Sequence, residues 1–218
     1  MTRLDILLSQ LDGLVVFLAA AHEEVFDLIH VHELTWFPMS RDPRVSATAT
    51  AYRIAVSNAA FLLGYAYLES FLADVARQVY LRRPRMLPRG RQLAYQEIVN
   101  ASSKDEMLLL MLGKEIRSVF GGSIEEIQRH FAQKLQIAWP DEPKIIVASK
   151  LRNCLMHNGA VVDERLATAE SSFSIGSNIQ LDPGDVHSYG LAARSFASQL
   201  WADAHQRHLR ETEQSGSA

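Results

Sequence analysis

A single cysteine, Cys154, stands in 218 residues, so no internal disulfide can form, and no Cys/His spacing resembles a zinc site. That usage fits a reducing, cytoplasmic setting. Charge of one sign is equally scarce. Lys and Arg number 22 against 25 Asp and Glu, a formal net charge of −3, which excludes the global basic field of a protein that coats nucleic acid. Any contact with phosphate must be local. Long apolar runs are missing too: the longest uncharged stretch, 54–68, is 15 residues with Ser57 and Asn58 inside it. A membrane span needs about 20 apolar residues, so this stretch reads as a buried core helix. Asp5 and Asp12 interrupt the first apolar segment, and no small-residue cleavage site follows a basic start, so a signal peptide is not expected. No Gly-rich phosphate loop or nucleophile elbow is present.

What is present is core material, 48% hydrophobic residues, ample for a folded domain. Leu4, Leu7, Leu8, Leu11, Leu14, Leu18 and Val25 recur at helical spacing, predicting one helix over 3–33. "TWFPMSRDP" at 35–43 breaks the chain, and 46–82, free of internal proline, should be the longest helix. "RRPRMLPRGR" is a proline-broken connection. Ser103 with Glu106 and Ser123 with Glu126 have the spacing of capping boxes, with "FGG" at 120–122 between the two helices they open. A helix over about 143–157 starts on Pro143 and stops at Asn158-Gly159. "SSFSIGSNIQL" at 171–181 alternates around Gly176-Ser177 and predicts a hairpin. Asp182 and Pro183 then open a last helix running to about Arg210. The expected fold is therefore all-α with one small β-hairpin. Residues 1–45 form an N-terminal helical extension, 46–210 the main domain, and 211–218 a disordered tail.

The stretch "LRNCLMHNGAVVD", 151–163, carries the chemistry. At about 100° per residue, Val147, Ala148, Leu151, Cys154 and Leu155 share a core arc. Ser149, Arg152, Asn153 and His157 face the other way, with Ile145, Ile146 and Met156 among them, so that a second subunit could cover that side. Arg152 and His157 are five residues apart, about 140° around the axis, so fraying, arginine reach or a two-fold partner must bring them together. Histidine can exchange a proton with a ribose 2′-hydroxyl or a leaving oxygen. Arginine can clamp phosphate oxygens and stabilise the charge that builds on phosphorus. Asn153, four before His157, could fix its ring or bind the sugar. The plainer alternative is that all three cap the free carbonyls of their own helix.

Arg152-Asn153, three residues, then His157 and Asn158-Gly159, at the end of an apolar helix, resembles the Arg-x4-6-His signature of the HEPN superfamily. Gly159, Asp163, a short hairpin and a final helix continue the similarity, which covers about 145–205. The resemblance implies a helical bundle of four to five helices that pairs as a homodimer, two Arg/His sets facing one cleft. It implies a metal-independent, cofactor-free endoribonuclease of the bacterial toxin and phage-defence kind, with an RNA substrate, and an antitoxin or other regulatory protein as a further partner. Arg152 and His157 take the catalytic roles, with Asn153 and Asn158 supporting. Other members keep the fold without activity, so an RNA-, nucleotide- or protein-binding module is the alternative.

Glu69 is the first charge after Arg53 and could orient Arg152 or His157, or lie on a wet helix edge. Arg82, Arg83, Arg85, Arg89 and Arg91 form the strongest local charge feature, able to grip RNA phosphates, with Tyr80 or Tyr95 for stacking. The bland reading is a solvated basic helix end. His30 and His32, two apart, fall on different helix faces, whereas His205 and His208 have an acceptable spacing for a surface metal contact. Cys154 precedes His157 by three, but its place on the core arc rejects a Cys-His dyad.

Overall fold

A computed structural model describes residues 4–13, 43–88 and 92–210. The remainder of the expected 3–33 helix, the break at 35–42, His30, His32, Arg89, Arg91 and the tail at 211–218 lie outside the described residues. Within them the chain is all-α: α1 (4–13), α2 (Pro43–Arg82), α3 (Tyr95–Asn100), α4 (Lys104–Phe120), α5 (Ile124–Gln133), α6 (Pro143–His157), α7 (Glu164–Ala169) and α8 (Pro183–Ala204). A 3-10 turn at Pro84–Met86 follows α2, and a π-helical turn, His205–Leu209, extends α8.

The chain divides into two units, one of residues 1–68 and 142–195, the other of 69–141 and 196–218. In the first, Phe61 and Tyr65 of α2 form a core with Val147, Leu151 and Cys154 of α6, Leu166 of α7, and Ile179, Leu181 and Val186. The core arc read from the sequence is thus the buried one. Ile145, expected among the polar residues, is buried as well, while Met156 is exposed. In the second unit, Trp139 stands edge-on to both Phe131 and Phe196, its ring centroid 5.8 and 4.7 Å from theirs. Such pairs add to the area that large rings bury.

The 33 residues Thr50–Arg82 are long and apolar enough, by length and composition, to cross a membrane. Phe61, Tyr65 and Leu68 in one unit, and Leu72, Val75 and Val79 in the other, are instead buried against protein. α2 ends where it should: Pro84 disfavours helical backbone at Arg83.

The second expected capping box forms in full, Ser123 Oγ accepting from the Glu126 amide and the Glu126 carboxylate accepting from the Ser123 amide. The first is displaced by one residue. Ser103 Oγ accepts from the Glu106 amide, but the Glu106 carboxylate takes the amide and hydroxyl of Ser102. Asp182 and Asp185 bond each other's amides at the start of α8.

The predicted hairpin is a correction. No strand occurs among the described residues, and 171–181 does not pair with itself. Val162 and Ile179 donate their amides to Ser177 and Ala160, and Gly176 donates to Val162. The alternation misled because Ile175, which a half-buried strand would cover, is exposed, and because Ser177 turns back onto Ser174 through both amide and hydroxyl. A single antiparallel bridge, Val161 to Asn178, remains.

After α5 the chain reverses at Gln136, whose φ of 55° is the left-handed conformation usually given to glycine, and Ile137 donates to the Phe131 carbonyl. A Gln136→Gly substitution is expected to stabilise the second unit by about 1 kcal/mol, as relief of that backbone cost. Urea unfolding midpoints of the two proteins check it.

Candidate functional site

α6 ends in a way that holds its last residues in place. Gly159 and Ala160 are both left-handed, with φ of 60° and 61°, a reversal that Gly159 accepts without steric cost. The amides of Asn158 and Ala160 both reach the Cys154 carbonyl. Asn158 Nδ2 donates to the Val161 carbonyl at 2.7 Å, and the Val161 amide donates back to the Asn158 carbonyl. Asn158 is therefore a turn lock, and its side chain is committed. Residues 160–162 are then tied to 176–179 by the three backbone bonds that replace the expected hairpin.

On this terminus Arg152 is half-buried, and its guanidinium lies 6.0 Å from the ring centroid of the buried Tyr65, the outer limit of a cation–π contact. Its Nη1 donates to Asn153 Oδ1 at 3.0 Å. Asn153 Oδ1 is thus engaged with Arg152. These neighbours fix the orientation of the guanidinium. Tyr65 was not singled out in the sequence, where it is one aromatic among several in "FLLGYAY".

His157 is exposed and, among the described residues, makes no hydrogen bond or ion pair. A histidine acting as cap would bind a carbonyl of its own helix, and this one does not. Cys154, three residues earlier, is buried at 1% exposure beside Asp163, and burial pushes its thiol above the ordinary range. A Cys-His dyad is thereby ruled out on geometry as well as on protonation. Asp163 Oδ1 also caps α7 through the Leu166 amide at 2.8 Å.

The other sequence candidates lie in the second unit. Glu69 is half-buried on α2. Arg82, Arg83 and Arg85 are exposed around the 3-10 turn and line an open recess with Gln136, Arg207 and His208. Tyr95 is exposed at the start of α3, but Tyr80 is fully buried and bonded to His130 Nε2 at 2.9 Å, so it cannot stack on a base. That Tyr80–His130 pair, with Glu115 Oε1 3.8 Å from His130 Nδ1, is a buried polar network that the sequence does not announce. His205 lies against Trp201, ring to ring at 6.3 Å.

No protein-family model matches the chain, and no curated protein or solved structure matches it either.

Proposed function

We propose that the chain is a metal-independent endoribonuclease of HEPN type, acting in the cytoplasm as a homodimer and serving as a toxic or defensive effector under the control of a partner protein. The observation that carries the reading is the contrast at the end of α6. Arg152 is held on Tyr65 and Asn153, whereas His157 is exposed and uncommitted on a terminus locked by Asn158. A clamp should be rigid and a proton carrier should be accessible.

In this scheme the 2′-hydroxyl attacks the adjacent phosphorus, the P–O2′ bond forms and the P–O5′ bond breaks. Arg152 bears on the non-bridging oxygens, where charge accumulates. His157, exposed at the helix end, protonates the departing 5′-oxygen. The proton lost from the 2′-hydroxyl goes to the His157 of a second copy in a two-fold pair. Each event leaves a 2′,3′-cyclic phosphate and a 5′-hydroxyl.

One feature favours the second reading, a non-catalytic module that binds RNA, a nucleotide or a protein: no described residue of the chain orients the His157 ring. The deciding experiment incubates the purified protein with mixed RNA in EDTA and assays the new ends. Cyclic phosphate and 5′-hydroxyl ends are expected. Ends bearing a 3′-hydroxyl, formed only with added metal, would overturn the mechanism, and intact RNA bound by the protein would favour the module.

A further inference from the structure

The basic recess of the second unit contains more than the arginine run visible in the sequence. Arg82 ends α2, Arg83 and Arg85 flank Pro84 in the 3-10 turn, and Arg207 and His208 come from the π-helical turn more than 120 residues later. Gln136 enters from the reversal after α5, with its left-handed backbone. Three separate segments thus deliver cationic or amide groups to one concavity.

Three observations indicate that these groups are poised for a ligand. Among the described residues, the side chains of Arg82, Arg83 and Arg85 make no hydrogen bond or ion pair. The neighbouring acid is already engaged: Asp203 Oδ1 accepts from Arg207 Nε and Oδ2 from the Ala138 amide, each at 2.7 Å. Despite its partial burial, those two bonds hold its carboxyl below the usual range. Last, His208 Nε2 is buried and has no hydrogen-bond partner among the described residues, and in the protonated ring it can donate to an oxyanion. Mutual repulsion of so many cations is a cost that an anion offsets, and no aromatic platform for a base lines the recess.

We infer that this recess is a binding site for clustered phosphate oxyanions, with Arg83, Arg85 and Arg207 as the principal clamps, Gln136 as a neutral donor and His208 as a donor when protonated. Guanidinium forks match phosphate in shape and bind it bidentately. Adjacent phosphates can come from an RNA strand or from a free polyphosphate such as the tail of a nucleotide. The site stands on the second unit alone, so its failure leaves the reading of Arg152 and His157 intact, and the reverse holds too.

The test titrates the full chain with inorganic tripolyphosphate and, separately, with a single-stranded RNA oligonucleotide, by calorimetry at fixed salt. The double substitution Arg83→Ala with Arg85→Ala is compared with a double control in the same unit, Arg129→Ala with Lys134→Ala, which removes equal charge outside the recess. Hydrogen bonds to charged groups are each worth enough that the recess variant should bind about tenfold or more weakly, with the control near wild type. Saturable tripolyphosphate binding with that pattern assigns a free polyphosphate. The pattern with RNA alone assigns the strand. Equal weakening in the control, or no saturable binding of either probe, overturns the site.

Discussion

Replacing His157 with Ala is expected to lower RNA cleavage in EDTA by about a hundredfold to ten-thousandfold, the range that general acid–base catalysis contributes. Replacing Arg152 with Ala should cost about a hundredfold to a thousandfold, as the loss of one preorganised group facing the developing phosphorane charge does. Neither change should unfold the domain. His157 is exposed and its side chain has no partner among the described residues, so truncation breaks no contact there. Arg152 is half-buried on Tyr65 and bonded to its exposed neighbour Asn153, and loss of the cation–π attraction should cost about 0.5–1 kcal/mol, with the packing of its stem in addition.

Arg152→Lys separates the roles of charge and shape. Lysine keeps the charge but cannot reproduce the fork that binds Asn153 Oδ1 while presenting other donors. Activity between that of wild type and Arg152→Ala is the expected outcome, with circular dichroism and thermal midpoints unchanged. Full activity in both alanine variants would remove α6 from the chemistry altogether. If the histidines of two copies act together, excess His157→Ala mixed with wild type should form hybrid dimers with a single histidine and depress the activity of the wild-type chains.

The helical outline was readable because its signals are local. Pro143 and Pro183 occupy the first turn of α6 and α8, Asp182 and Ser123 cap the helices that follow them, and Asn158-Gly159 ends α6 where expected, whereas α2 starts on Pro43, which reads as part of the break, three residues before the expected start at 46. Each is a steric or hydrogen-bonding preference contained within a few residues. The short helices α3 and α7 escaped because six residues show too little periodicity, although Asp163 capping α7 was a usable sign. The segment 171–181 was misjudged for a different reason. Alternation reports a two-sided environment but not the partner, and here the partner is 160–162 rather than the other half of the same segment. Arg152, His157 and three of the five arginines could be named as candidates because cations clustered along the chain stand out in a sequence. Tyr65, Gln136 and Arg207 could not, since what recruits them is the meeting of segments distant in sequence.

Among stability effects, Tyr80→Phe is expected to have one of the largest for a single-atom change, about 1–3 kcal/mol, because it leaves a buried polar atom without its partner. Tyr80 is wholly buried, His130 is nearly so, and the phenol hydroxyl and imidazole Nε2 are 2.9 Å apart. The same burial sets a pH dependence. Desolvation pushes the His130 pKa below its ordinary value, the nearby Glu115 opposes the shift, and Lys134 adds to it. His208 is depressed in the same sense, by burial first, against an opposing hydrogen bond to the Leu135 carbonyl, with Arg83 and Arg207 adding to the burial. A histidine that resists protonation only when folded contributes nothing adverse above its unfolded pKa of about 6.5. As pH falls through that value the unfolded chain binds the proton first, so stability declines until the folded group titrates as well. Urea midpoints of the wild type should therefore hold steady from pH 8 to 7 and drop from pH 7 to 5. His130→Gln, which cannot titrate but can still bond Tyr80, should begin lower at pH 7.5 and lose part of the slope, the rest belonging to His208 and to carboxylates. A wild-type midpoint that is level across pH 7 to 5 would mean that His130 is charged in the fold and that its pairing with Glu115 outweighs its burial.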